Sequence, residues 1–227
     1  MTEPTEYGIS ALAKLVGRGL ATQKDRVLTV IDWEELLLNW PLGFWEDEEG
    51  TLAAIFTPAL QDIAIWSATT TNVALGSIAG ETPIVEAILD WVSTYSFDLC
   101  GGINDTSRGI IEKAFDNFFS RPGFTRADFD EAIGYVFGPS RAESIAVTEA
   151  TRAHFVGSEI VATEIRKTGL EMIGIWNTNA DGFVCEICAP LHLTPESPDG
   201  GWSTLSGPGA YPPAHPRCRC WVTYEIA

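Results

Sequence analysis

The sequence predicts a mainly α-helical protein, in which an N-terminal helical body and a long helix lead to a small β-structured C-terminal unit. Two patterns predict this fold class. Apolar residues recur at helical spacing, between helix start and stop signals, through roughly the first 170 residues. After Gly169 the pattern becomes strand-like, and four of the five cysteines lie in two close pairs.

Composition and charge exclude several classes of protein. The chain has 227 residues with 31 acidic and 14 basic side chains, a formal net charge of −17, and 45% hydrophobic residues. The hydrophobic fraction excludes a disordered acidic protein, and the net charge argues against general binding to nucleic acid or to anionic membranes. The sequence has neither a secretory signal nor an apolar run long enough to span a membrane, so we expect a soluble cytoplasmic protein with reduced cysteines.

The first 103 residues are predicted to form an acidic helical region. No Lys or Arg occurs between Arg26 and Arg108, and residues 46–49 are all acidic. This predicts a negatively charged surface, which is either simply solvated or a docking patch for a basic partner.

Start and stop signals define the helices along the chain. The first predicted helix begins at Asp32 and ends before Pro41. The others span residues 52–79, 108–119, 127–137 and 141–169. Thr125 with Asp128, and Ser140 with Glu143, have the spacing of capping boxes that open the last two helices. Gly169 stands where a left-handed residue ends the long helix.

The long helix carries a carboxylate on its apolar face. Glu149 falls on the same stripe as Ala142 and Ile145, so it must be paired or hydrogen-bonded. We expect a structural ion pair with Arg152, or with another arginine such as Arg141. A general acid or base is the alternative. His154 is predicted to lie on the exposed side of this helix.

Residues 170–227 are predicted to form the β-structured unit. Strand-like segments at 172–178 and 218–226 flank a turn at 179–182 and a long loop rich in Pro, Gly and Ser at 193–214.

Five soft metal ligands are concentrated in this unit. Cys185 and Cys188 form a C-x-x-C pair, and an H-x-x-C-x-C segment about thirty residues later supplies His215, Cys218 and Cys220. We predict structural zinc bound by the four cysteines, with His215 as the alternative fourth ligand or as a hydrogen-bond donor to a ligand. Disulfides, or cysteines that bind no metal, are the alternatives. Because regular strand geometry separates Cys218 from Cys220, the backbone there is expected to bend, and zinc is expected to staple a unit too small to have its own core.

Three motifs, in this order, resemble those of the phage Mu F-like minor head proteins, also called head-morphogenesis proteins. They are R-A-x-x-I-A-x-T-E at 141–149, W-N-T-N-A-D-G-F-V-C-E-I-C at 176–188 and P-P-x-H-P-x-C-R-C at 212–220. The resemblance covers residues 104–227, which are therefore predicted to form one domain. One departure is Leu191-His192-Leu193, where relatives often end the turn with Gly, so this loop is expected to follow a different path.

The resemblance implies a minor capsid protein of a tailed phage or prophage with no established enzymatic activity. The implied partners are the portal protein and the major capsid protein, with self-association as a further candidate, and the implied location is the capsid interior near the portal, reached from the host cytoplasm. Neither a membrane nor direct contact with DNA is expected. The alternative is a metal-dependent hydrolase or nuclease with Glu149, Asp181 and His215 as acid and base groups. A host-encoded zinc-ribbon adaptor would share the cysteine spacing, but the helical motif upstream argues against it.

Overall fold

The computed structural model describes residues 6–35, 37–179, 181–204 and 207–227. Its helices are α1 (Ile9–Val30), α2 (Phe44–Ala74), α3 (Glu81–Ser120), α4 (Arg126–Gly134) and α5 (Pro139–Arg166). Its strands are β1 (Ile31–Asp32), β2 (Leu37–Leu38), β3 (Met172–Asn177), β4 (Trp202–Thr204), β5 (Gly207–Ala210) and β6 (Trp221–Ile226). The predicted fold class is confirmed: the chain is mainly helical, with a small β-structured C-terminal region that contains a cysteine and histidine cluster.

The chain packs as two compact units. Unit 1 comprises Met1–Leu12, Pro58–Val92 and Ser144–Ala227, and unit 2 comprises Ala13–Thr57 and Ser93–Glu143. Each division falls within a helix, so α1, α2, α3 and α5 contribute residues to both units. The domain boundary predicted between residues 103 and 104 lies inside α3. Within the described ranges, no helix combines the length and the hydropathy that crossing a membrane requires.

Unit 2 holds its helices together through an apolar core and two polar contacts. Among its fully buried side chains are Leu20, Phe56, Ile111 and Phe129. Gln23 of α1 donates a buried hydrogen bond to Asn104 Oδ1 of α3 at 2.8 Å. Arg26 of α1 forms a two-point ion pair with Glu48 of α2, one arm at 2.7 Å. The first contact lies in the interior, and the second pairs the buried carboxylate of Glu48 with a guanidinium.

The prediction of a helix that begins at Asp32 is wrong. β1 and β2 form a short antiparallel pair in which Ile31 lies opposite Leu38. Asp32 Oδ1 accepts hydrogen bonds from the backbone N–H groups of Glu34 and Glu35, both at 2.9 Å. An aspartate side chain that bonds to the backbone just ahead closes a turn as readily as it caps a helix. Leu36, part of the same prediction, lies outside the described residues.

The helices α2 and α3 differ from the predicted ones in their limits. α2 begins at Phe44 and ends at Ala74, whereas the sequence predicted 52–79. α3 is 40 residues long and begins at Glu81, well before the predicted start at residue 108. It passes through Gly101 and Gly102 without interruption, because packing of its buried face outweighs the low helix propensity of two glycines.

The start of α4 and the end of α5 follow their predicted signals. The start of α5 does not: the helix begins at Pro139, so Ser140 lies inside it and does not cap it. The Thr125 side chain accepts from Asp128 N and the Asp128 side chain accepts from Thr125 N, which is the predicted capping box. After α5, Gly169 adopts a φ of +91° and its N–H donates to Arg166 O at 3.0 Å. Local chemistry therefore sets the start of α4 and the end of α5.

Unit 1 brings α5 against the C-terminal half of α2 and against the β-structured region. Gly157 of α5 lies so close to α2 that an added Cβ would overlap the carbonyl oxygen of Ala64. β3 pairs with β6 in antiparallel register from Met172–Ile226 to Asn177–Trp221, and β4 pairs with β5. The strand prediction at 172–178 is confirmed, and the second strand begins at Trp221 rather than at residue 218. Ala180, in the predicted turn, and residues 205–206, in the predicted loop, lie outside the described residues.

Candidate metal centre

The first cysteine pair lies on a tight turn that follows β3. The backbone N–H groups of Cys188 and Ala189 donate to Cys185 O at 3.1 and 2.9 Å, so the chain makes one helical turn between the two cysteines. A turn of this kind places residues three apart on the same side. Cys185 and Cys188 therefore present their sulfurs together, as the C-x-x-C spacing predicts.

The second set of ligands lies on a bend just before β6. Cys218 N donates to His215 O at 3.1 Å, and Arg217 adopts a left-handed φ of +63°. The expected bend is therefore present, and it explains how residues two apart can share a site. The Sγ atoms of Cys218 and Cys220 converge here, together with that of Cys188, instead of pointing to opposite faces as on a regular strand.

The five donor atoms form two groups that share Cys188. In one group are Cys185, Cys188 and His215; in the other are Cys188, Cys218 and Cys220. Within each group all donor atoms lie within 4.8 Å of one another. Cys188, Cys218 and Cys220 are buried, whereas Cys185 and His215 are half-buried. A cavity of about 30 Å³ opens beside them.

The separations of the donor atoms fit a metal ion. Zinc–sulfur bonds of about 2.3 Å place two sulfurs of a tetrahedral site about 3.8 Å apart, and a sulfur and an imidazole nitrogen about 3.5 Å apart. Cys188 Sγ and Cys218 Sγ are 3.9 Å apart, and His215 Nε2 lies 3.0 Å from Cys185 Sγ and 3.3 Å from Cys188 Sγ. All five cysteines of the chain are free thiols. The distance between Cys188 Sγ and Cys218 Sγ is also much longer than a disulfide bond of about 2.05 Å. The cluster can hold a metal ion.

The hydrogen bonding of His215 prepares its ring for a metal. His215 Nδ1 lies 2.8 Å from the carbonyl oxygen of Pro216, and because a carbonyl only accepts, Nδ1 carries the ring proton. Nε2 is then left with its lone pair, directed at the sulfurs of Cys185 and Cys188. Histidines that bind metals usually donate their other N–H to a carbonyl or a carboxylate in this way.

The buried cysteine thiols hydrogen-bond to one another and shift one another's pKa values. Hydrogen bonds from Cys188 and Cys220 lower the pKa of the Cys218 thiol. The same contact with Cys218 raises the pKa of Cys188, since its proton is held by the neighbouring thiolate. One sulfur therefore ionises first, and a bound metal ion would displace the protons that the other sulfurs retain.

The helix α5 supports the second loop through two threonines. Thr148 Oγ1 accepts a hydrogen bond from Arg217 N at 2.8 Å, and the buried hydroxyl of Thr151 donates to Cys218 O at 2.7 Å. A salt bridge links the two loops, since Arg219 Nη2 lies 2.6 Å from Asp181 Oδ2. This hydrogen bond from Arg219 lowers the pKa of Asp181.

Of the residues in the predicted ion pair, Glu149 and Arg152 contact each other, whereas Arg141 makes its contacts elsewhere. Glu149 is buried, and its Oε2 lies 3.4 Å from Arg152 Nε. Arg141 belongs to unit 2, where its guanidinium donates to Val136 O at 2.8 Å, to Ile103 O at 3.0 Å and to Ser107 Oγ. The guanidinium of Arg141 thus bonds to two carbonyls and one hydroxyl of its own unit.

Two buried polar residues of unit 1 were not identified from the sequence. Asn179 is 4% exposed, lines the small cavity at the cluster, and neither polar atom of its amide has a partner among the described residues. His154 was predicted to be exposed, which is wrong: it is 2% exposed, and it contacts Tyr7 O and the ring of Trp66. No sequence signal marks either burial, because each depends on segments distant in the chain.

Comparisons of the chain with family models, with curated proteins and with solved structures find no match.

Proposed function

We propose that this chain is a non-catalytic minor capsid protein that acts in head assembly of a tailed phage or prophage. The observation that carries the proposal is that residues from all three motif segments contact one another within unit 1. Thr148, on the R-A-x-x-I-A-x-T-E helix, contacts Arg217 of the P-P-x-H-P-x-C-R-C loop, and Arg219 of that loop pairs with Asp181 of the segment between them. Residues that contact one another in this way explain why the three motifs occur together.

The proposal includes one structural zinc ion. Soft thiolate donors and one imidazole are the ligands that zinc prefers. Four of the five donors suffice, and either Cys218 with Cys220 or Cys218 with His215 completes the set begun by Cys185 and Cys188. Both sets take donors from the two groups that share Cys188, so donors of different groups must move closer together when the ion binds. The β-structured region consists of two-stranded sheets, which are marginally stable alone, so a metal that ties its loops together contributes directly to folding.

A hydrolytic role is less well supported, because its three candidate groups already have other partners. Asp181 is paired with Arg219, and Glu149 with Arg152. His215 directs its lone pair at cysteine sulfurs, which suits a metal ligand better than a general base. A catalytic metal also needs an open coordination position for water, and with five soft donors available, four of them can close the site.

The proposed partners are the portal protein and the major capsid protein, with self-association as a further candidate. The net charge of −17 favours docking on basic protein surfaces and opposes contact with packaged DNA. Phe183 is 85% exposed beside Arg219, whose guanidinium lies 5.9 Å from the centre of the ring. An exposed aromatic side chain on a metal-supported loop is a suitable anchor for a protein interface.

The proposal is tested by co-sedimentation of the chain with empty proheads and with portal rings of the phage that encodes it. We expect association at low and moderate salt, weakened by Phe183→Ala but not by Leu42→Ala, a fully exposed apolar residue of unit 2. If the chain associated with neither particle at both low and moderate salt, the assembly role would be contradicted. Metal-dependent cleavage of DNA or peptidoglycan by the same preparation would contradict the non-catalytic assignment.

A further inference from the structure

The strand β6 pairs with β3 along one edge only, in a two-stranded sheet. The direction of the backbone groups follows from the far edge of β3. There, Gly174 O accepts a hydrogen bond from Glu196 N at 2.7 Å. On the same edge, Trp176 N donates to Thr194 O at 3.0 Å. The backbone N–H and C=O groups of Gly174 and Trp176 therefore point away from β6.

The backbone of Val222 and Tyr224 forms the outer edge of β6. In an antiparallel pair, residues directly opposite each other point both inward or both outward. Tyr224 lies opposite Gly174 and Val222 opposite Trp176, so the N–H and C=O groups of both point away from β3. Within the described part of the chain, no hydrogen bond reaches these groups. The strand sequence W-V-T-Y-E-I also contains neither proline nor lysine, which often protect an edge, so this edge can pair with another strand.

A largely apolar cavity of about 220 Å³ runs along this edge. Its wall on β6 consists of the consecutive residues 221–224, whose side chains alternate between the two faces of the sheet. A cavity at one face would be lined by every second residue, so this one lies beside the backbone edge. Trp66 and Leu75 of α2 and Phe155 of α5 contribute apolar surface to the opposite wall. An engineered apolar cavity of about 150 Å³ binds benzene, so this one has room for a large apolar side chain.

We propose that the outer edge of β6 binds an extended segment of another protein as an added strand, with one large apolar side chain of that segment in the cavity. Hydrogen bonds to the backbone of Val222 and Tyr224 supply affinity, and the cavity supplies specificity. Of the described residues that line the cavity, none is Asp, Glu, Lys or Arg, so a charged side chain is disfavoured there. The exposed carboxylate of Glu225 favours a basic residue elsewhere in the segment. Because α2 forms the opposite wall, the edge accepts a single extended chain more readily than the sheet of a second copy. Such binding does not depend on the assembly role.

The first test selects binders of the full, metal-loaded chain from a synthetic library of random heptapeptides. We expect binders that carry one large apolar residue and no acidic residue. Their affinity should fall at least about tenfold for Thr70→Trp, because Thr70 is an exposed residue of the wall and tryptophan there fills the cavity. Thr69→Trp is the matched control, since Thr69 is its exposed neighbour outside this wall. Absence of binders, or equal affinities for the two variants, would overturn the proposal.

Two measurements on the tightest peptide show whether it binds as a strand. Methylation of its backbone nitrogens at alternate positions should weaken binding about tenfold or more in one phase and little in the other, because only one set of N–H groups faces β6. Equal effects in the two phases would contradict strand addition.

Amide hydrogen exchange locates the peptide on the chain. Exchange should slow at Val222 and Tyr224 when the peptide binds, whereas the N–H of Thr223, which already faces β3, should change little. Unchanged exchange at Val222 and Tyr224 would overturn the proposal. Protection of these two amides that rises with protein concentration in the absence of peptide would also overturn it, because the edge would then belong to contact with a second copy.

Discussion

The hydroxyl of Thr151 donates a hydrogen bond to the carbonyl oxygen of Cys218 at 2.7 Å, across 67 residues of sequence. One turn earlier on α5, Thr148 accepts from the backbone N–H of Arg217 at 2.8 Å. The helix therefore holds the backbone of the cysteine loop on both sides of the peptide between Arg217 and Cys218. This contact fixes the position of a metal ligand through its main chain, whatever ion the sulfurs bind.

Replacing Thr151 by Val should destabilise unit 1. Valine keeps the shape of threonine but leaves the buried Cys218 carbonyl without this donor, which costs about 1–3 kcal/mol. Urea unfolding of the metal-loaded protein measures the change. Thr106→Val is the matched control, because the exposed hydroxyl of Thr106 bonds only within its own helix, to Gly102 O. Equal effects of the two substitutions would show that the contact with Cys218 has no special weight.

Replacing Gly157 by Ala should be severely destabilising. An added Cβ would overlap the carbonyl oxygen of Ala64, a backbone atom that cannot move without shifting α2. Overpacking of this kind costs about 1–3 kcal/mol or more. Gly109→Ala, at an exposed helical position with open space around it, should instead stabilise the protein by up to about 1 kcal/mol. Thermal unfolding of both variants should show melting temperatures shifted in opposite directions.

His154 should make the stability depend on pH in the acid range. Its pKa is about 4 in the folded protein and near 6.5 when unfolded. Between these values the unfolded chain binds a proton that the folded chain does not, so the free energy of unfolding decreases as the pH falls. A difference of this size corresponds to about 3 kcal/mol, lost progressively from pH ~6.5 to pH ~4.

Urea unfolding across this pH interval, for the wild type and for His154→Gln, measures the contribution. Glutamine can still donate to Tyr7 O but does not titrate, so its stability should fall less steeply. Carboxylates and metal ligands contribute equally to both curves. Parallel curves would mean that His154 is not the residue responsible.

Replacing Leu193 by Gly should stabilise the protein. Leu193 adopts a left-handed φ of +60°, which favours glycine. Its side chain is largely exposed, so truncation removes little buried contact while relieving roughly 1 kcal/mol of backbone strain. Leu170→Gly, an exposed leucine with no positive φ, should destabilise in the same thermal assay. A lower melting temperature for Leu193→Gly would contradict the strain argument.

The parts of the fold that local chemistry determines could be predicted from the sequence. The capping box of Thr125 and Asp128 and the left-handed Gly169 are decided by a few neighbouring residues. The length of α3 could not be predicted, because packing along its whole face carries it through Gly101 and Gly102. Asp32 was misassigned because its side chain serves a turn and a helix cap equally well.

The candidate site was partly predictable for the same reason. The C-x-x-C turn and the bend before β6 follow from sequence spacing, and all five predicted donors lie in the two groups. The burial of His154 could not be predicted, since Tyr7 and Trp66 reach it from distant parts of the chain. The support that Thr151 gives to Cys218 depends on the same long-range packing.

The central claim, that the cysteine cluster holds a structural metal ion, is tested most directly by the zinc content of the reduced, purified chain together with its melting temperature before and after chelation. We expect about one zinc per chain, and a loss of several kcal/mol of stability when it is removed. Cys188→Ser, which removes the donor common to both groups, should lose the metal, while Cys100→Ala, in unit 2, should keep it. A metal-free chain whose melting temperature is unchanged by the chelator would contradict the claim.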